Sequence, residues 1–209
     1  MHTLVYEYGG IPPELFPSMP RHILREYVRF CAVHAPSFLK EDLETLCSID
    51  RAGSVDGELI INAPFAESIL SRAADSANIV PNDWESMSNS VESEPPPVLH
   101  TLIVLATTFR PSLISLLPPT LTHIAMLNIP KIPLHTLPAQ LPLVVVLDLS
   151  FNPWLSEEFG KTASLGWAKW KKLQLLGLRG CRITEVGACK IRTGVNRGRL
   201  TEVEIIFTE

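Results

Sequence analysis

A six-residue phrase with apolar side chains at its first, fourth and sixth places recurs five times between residues 99 and 207. It carries Leu99, Leu102 and Val104, then Leu121, Ile124 and Met126, then Val144, Leu147 and Leu149. It returns with Leu173, Leu176 and Leu178, and last with Leu200, Val203 and Ile205. The starts lie 22, 23, 29 and 27 residues apart. The fourth to sixth places alternate as a strand does. An interval of about twenty to thirty residues leaves room for one strand and one return segment in each unit. A unit of that size cannot bury its own apolar stripe, so it must stack on its neighbours. The expectation is an α/β fold: a solenoid of about five coils with a parallel concave sheet, preceded by an N-terminal helical region.

The ninth place of each unit is where the chain turns, and a polar side chain there serves otherwise unpaired backbone groups. Asn152 and Cys181 fill it, and Thr107 is an acceptable substitute. Ile129 is not, so the second turn must be satisfied otherwise or shift its register. Between Pro111 and Pro142 prolines are expected to exclude helix, which leaves extended or 3₁₀ backs. Later units have room for helices around 157–173 and 185–196.

These phrases carry a resemblance. LDLSFNPWL (residues 147–155) and LQLLGLRGCRITEVG (173–187) resemble the leucine-rich repeat family, the second being similar to its cysteine-containing and ribonuclease-inhibitor-like variants. LLPPTLTHIAMLNIP (116–130) is similar to proline-rich repeats of fungal members. The resemblance covers about half of the chain. It implies a fold and a binding surface, and it names no partner, because one fold hosts many functions.

The N-terminal part divides differently. Residues 1–80 read as a helical cap region, 81–97 as an acidic linker rich in Pro and Ser, and 98–209 as the repeat domain. In RHILREYVRFCAVH the apolar stripe is Ile23, Leu24, Tyr27, Val28 and Cys31. Further helices are expected over FLKEDLETLCSI and, after Pro64, over FAESILSRAAD, whereas ELIINA fits a short strand or the approach to a helix. Trp84 in the linker is expected to dock on the body. IPPELFPSMPRHILREYV also resembles the opening of an F-box, without the later Trp-containing segment of that motif. That resemblance implies a ubiquitin-ligase adaptor, against a plain structural cap.

Charge is unevenly spread. Residues 1–158 hold 8 Lys and Arg against 18 Asp and Glu, whereas residues 159–201 hold 10 against Glu185 alone. Such a block suits nucleic acid or an acidic partner, or else complements the chain's own acidic half. Trp154, Trp167 and Trp170 stand beside Lys169, Lys171 and Lys172, an arrangement that suits base stacking or, more simply, an inner helix stripe with a wet side. No apolar run reaches a membrane-spanning length and no leader is evident. With four scattered cysteines and no Asn-x-Ser/Thr acceptor, the expected setting is reducing, cytoplasmic or nuclear.

Catalytic signatures are missing. FGKT (residues 159–162) lacks the glycine five residues before Gly160 that a phosphate-binding loop needs, since Leu155 stands there. The histidines and cysteines have no metal-ligand spacing, so neither enzyme, cofactor nor metal is expected. Function is sought instead on the outward places of the strand phrase. Candidates for partner binding are Thr101, Ile103, Leu105, His123, Leu127, Val146, Asp148, Phe151, Leu175, Arg179, Glu202 and Glu204. The expected partner is a protein. The last strand lacks a visible cover, which implies a partner, self-association or further chain.

Overall fold

A computed structural model describes residues 11–34, 57–61, 98–106, 111–161, 166–199 and 201–207. Its centre is one sheet of six parallel strands in sequence order. The strands are β1 (Glu58–Ile61), β2 (Thr101–Leu105), β3 (His123–Leu127), β4 (Val146–Asp148), β5 (Leu175–Gly177) and β6 (Glu204–Ile206). No helix among the described residues is long and apolar enough to cross a membrane.

The register follows the apolar phrase. Leu102 pairs with Ile124, Ile124 with Leu147 and Leu147 with Leu176. Those fourth-place side chains and the sixth-place Val104, Met126, Leu149 and Leu178 are all buried, as are Leu99, Leu121, Val144 and Leu173 at the first place. Each such side chain stabilises the fold by about 1.5–3 kcal/mol through burial. Stacking like upon like makes one continuous core row beneath the sheet.

The sheet has one strand more than the five phrases provide. The first four residues of ELIINA form β1, which pairs Glu58 to Ile61 with Thr101 to Val104. Helix α1 (Arg21–His34) packs on it, burying Leu24, Tyr27, Val28 and Cys31. Ile23 departs from the expected stripe and is exposed. Phe16, on a 3₁₀ turn at Pro13–Ser18, packs its ring 5.8 Å from that of Tyr27. The Arg29 guanidinium holds the Glu58 carboxylate through both oxygens, at 2.7 and 2.6 Å. The expected helices over 38–49 and 65–75, the linker with Trp84, and Thr107 lie outside the described residues.

The last strand corrects the sequence register. β5 pairs Leu176 with Ile205, so Ile205 takes the fourth place that the spacing assigned to Val203. The final interval is therefore two residues longer than the phrase suggested. Val203 is nonetheless buried, and its N–H donates to Asn196 Oδ1 at 2.7 Å. A side-chain bond from the preceding helix thus replaces the ladder bond at the strand entry.

The backs differ as well. Pro111–Leu116 and Leu134–Thr136 are 3₁₀, as proline content predicts. A short α2 (Leu137–Gln140) nevertheless forms among the prolines, because Pro138 sits in its first turn, where a missing N–H costs nothing. The single helix expected over 157–173 is instead α3 (Leu155–Lys161) and a separate 3₁₀ turn at Trp167–Lys169, entered through left-handed Gly166. Helix α4 (Glu185–Asn196) forms where expected, with Thr184 Oγ1 accepting from Gly187 N–H as its cap. Trp167 and Trp170 are buried and Lys169, Lys171 and Lys172 are exposed, so the tryptophans pack inward and are not open to bases.

The turns close the strands. At the eighth place Ala106, Asn128 and Phe151 adopt φ of 44°, 52° and 63°, and Gly180 takes 62°. The N–H groups of Ala106, Asn128 and Phe151 donate to the carbonyls of Leu127, Ser150 and Arg179, one strand further on. Asn152 serves two turns at once. Its amide donates to Met126 C=O and Leu149 C=O, and its Oδ1 accepts Ile129 N–H at 2.8 Å. Trp154 Nε1 donates to Ile129 C=O at 2.9 Å. The apolar ninth residue of the second unit is therefore satisfied from the third, with no local register shift. Cys181 repeats part of this device, donating its thiol to Leu149 C=O.

Replacing Asn152 by Ala strands these buried partners. Urea unfolding should show a loss of about 3 kcal/mol, far above the loss at an exposed site. A second expectation concerns pH. Burial pushes the Cys181 thiol above its ordinary pKa, so the folded chain keeps a proton that the unfolded chain releases near pH 8.5. Its contribution is intact below that pH and is lost as pH rises towards the folded value. The alkaline fall in unfolding free energy should be shallower in Cys181→Ser than in the native chain.

Candidate protein-binding face

Because strand side chains alternate, the places that flank the core row face away from it. Third-place residues align across the sheet as Glu58, Thr101, His123, Val146, Leu175 and Glu204. Fifth-place residues align as Ile60, Ile103, Ala125, Asp148, Gly177 and Ile206. Leu105 and Leu127 pair at the seventh place. In the middle of this face Ile103, Leu105, Ala125, Leu127, Val146 and Leu175 are half-buried, with their outer surfaces open. Glu58 with its arginine flanks them at one end and exposed Glu204 at the other.

The candidate residues distribute as follows. Thr101, Ile103, Leu105, His123, Leu127, Val146 and Leu175 share the face, and His123 is the most open of them. Thr101 and His123 are partly engaged locally: Thr101 Oγ1 lies 2.8 Å from His100 Nδ1, and His123 Nδ1 the same distance from Thr122 Oγ1. Asp148 is committed to its own turn, where Oδ1 accepts from both Ser150 N–H and Ser150 Oγ. Ser150, outward by spacing, is buried and accepts Arg179 N–H on its hydroxyl. Arg179 is exposed. Glu202 and Glu204 shift with the register of β6: Glu204 stands at the third place and Glu202 before the strand.

Phe151 is the outstanding member. Its side chain is 54% exposed although it occupies a left-handed turn, a conformation that costs a non-glycine residue about 1–2 kcal/mol. Its ring lies against Gly180, where an added Cβ would approach Phe151 Cδ1 to 2.7 Å. Three residues earlier in the same two units the arrangement repeats, with the Asp148 carboxylate of β4 over Gly177 of β5. Both side chains are held because the unit 29 residues later presents a glycine. That pairing was readable from the interval, as was exposed Asn128 at the eighth place, which the phrase alone did not single out.

Lys169, Lys171, Lys172, Arg179, Arg182, Lys190, Arg192 and Arg197 are exposed. Arg199 is instead structural, donating to the carbonyls of Leu173, Trp167 and Trp170, and burial lowers its pKa. Among the described residues no group of three or more His, Cys, Asp or Glu is placed to hold a metal. Gly160 and Lys161 lie in α3, a helix rather than a phosphate-wrapping loop.

Comparison with known proteins gives no relative: no family model, no curated protein and no solved structure matches the chain.

The contact between Phe151 and Gly180 is open to a double-mutant cycle. Gly180→Ala should destabilise the chain by about 1–3 kcal/mol, through its positive φ and the clash with the ring. In a Phe151→Ala background the clash disappears, and the cost should shrink by at least about 0.5 kcal/mol in chemical denaturation.

Proposed function

We propose that the chain is a non-catalytic interaction module of the leucine-rich repeat type, which holds a protein partner on the concave outer face of its sheet. The observation that carries this reading is the apolar centre of that face. Six half-open apolar side chains stand on strands whose backbones are fixed on both sides, and an exposed aromatic ring projects beside them. A surface of this kind lets a partner bury apolar area without ordering loops first. Rigid aromatic anchors beside aliphatic pockets are where binding energy concentrates. The setting consistent with free cysteines is a reducing one, cytoplasm or nucleus.

Two further readings are supported by particular residues. Leu15 on the Pro13–Ser18 turn and Ile23 on α1 are exposed at 51% and 38%, which suits docking of this Pro-led segment on a ubiquitin-ligase adaptor. The exposed lysines and arginines after residue 168 suit an acidic or nucleic-acid partner, held by charge rather than by base stacking since the tryptophans are buried.

A photo-crosslinking residue at Phe151, followed by affinity purification, should capture a protein. Binding of that protein should weaken at least tenfold in Phe151→Ala combined with Leu127→Gln, about 1.4 kcal/mol or more. Unchanged affinity in that folded variant refutes the concave-face reading. Capture lost instead with Leu15→Ser and Ile23→Ser favours the adaptor. Nucleic-acid binding that falls steeply as salt rises favours the basic surface.

A further inference from the structure

The two outer strands of the sheet are finished differently. At β1 the helix α1 is packed against the strand, and Leu59, Ile60 and Ile61 are all buried. At β6 the side chains of Ile205, Ile206 and Phe207 are only half-buried. Glu204 N–H donates to Gln174 C=O, and Ile206 C=O accepts Leu178 N–H, so both residues turn their backbone groups towards β5. Alternation along the strand then turns the N–H and C=O of Ile205 the other way, with Val203 C=O and Phe207 N–H beside them. Val203 N–H is already held by Asn196 Oδ1. A recess of about 370 Å³, lined by Arg192, Glu202, Val203, Glu204 and Ile205, opens along this edge.

We propose that β6 pairs antiparallel with β6 of a second copy of this chain, about a two-fold axis through Ile205, so that the two sheets become one. The edge is self-complementary in that register. Ile205 of each copy exchanges both backbone bonds with its counterpart, the arrangement of a hydrogen-bonded antiparallel pair. Phe207 N–H of each copy meets Val203 C=O of the other, which makes four bonds and leaves the Asn196 bond intact. Val203, Ile205 and Phe207 share one face, so the core row continues across the junction. On the other face Glu204 stands opposite Ile206, and the two Glu204 carboxylates do not meet.

Charge favours the same register. The Arg192 guanidinium lies 5.5 Å from the centre of the Phe207 ring, at the end of β6 that Val203 and Glu202 of the second copy approach. Opposite charges are thus brought together twice by the symmetry. The junction is isologous and uses up the β6 edge of both copies. The association therefore closes as a pair instead of extending as a filament. An antiparallel strand added at the edge of a parallel sheet is a common arrangement.

Sedimentation equilibrium of the full 209-residue chain from micromolar to near-millimolar concentration tests the proposal. The native chain should pass from monomer to dimer over that range. Ile205→Pro should weaken the dimer at least tenfold with the thermal melt retained, because the lost N–H faces away from β5. A second measurement does not depend on that variant folding. Ile205→Cys, with Cys47→Ser and Cys189→Ser, should give a disulfide-linked dimer on mild oxidation. A hydrogen-bonded antiparallel pair sets its Cα atoms about 5.5 Å apart, within disulfide reach. A chain that stays monomeric throughout overturns the proposal. So does a dimer that folded Ile205→Pro leaves unchanged and that Ile205→Cys does not link.

Discussion

After β2, β3 and β4 the chain hands an amide to the next unit while reversing direction, and the left-handed eighth residue is how it does so. The conformation is unfavourable for Ala106, Asn128 and Phe151. It persists because the following strand takes the freed N–H, and because Asn152 and Cys181 tie the ninth place to the carbonyls behind it. Strand register, the core row and the direction of every outward side chain follow from this reversal. A turn that relaxed to right-handed geometry would aim the next residues elsewhere and break the alignment of Leu147 with Leu176.

The apolar phrase made much of this legible. Places one, four and six are buried in the first four phrases because they depend only on strand alternation and stacking, both encoded locally. The fifth failed for a tertiary reason. Leu200, Val203 and Ile205 fit the phrase as well as any, but β6 pairs with β5 two residues later, and Val203 N–H is held at the strand entry by the Asn196 side chain. Spacing cannot weigh a bond from a preceding helix. Trp167 and Trp170 are buried as their spacing suggested, yet on a 3₁₀ turn, because Gly166 at positive φ ends any continuous helix. ELIINA was ambiguous between strand and helix approach until a neighbour existed for it to pair with.

The outward face shows what the phrase does not encode. Periodicity identified which side chains leave the core, but it could not tell a free group from one already used. Asp148 and Ser150 look alike as outward polar residues, yet they bond each other and anchor Arg179. Arg199 looks like part of a solvated basic run, and it is a plug for three carbonyls. Apolar residues are easier to read, because Leu105 and Leu127 have no local partner that would alter their role.

The change in the backs has a mechanical consequence. Strands lie about 4.8 Å apart, whereas a packed helix needs about 10 Å of width. The 3₁₀ turns behind β2 and β3, with the one-turn α2 following the second, are slim beside a full helix. Behind β4 and β5 the helices α3 and α4, which touch each other, must spread the rear of the sheet more than its front. Packing widths therefore favour more curvature behind β4 and β5 than behind β2 and β3.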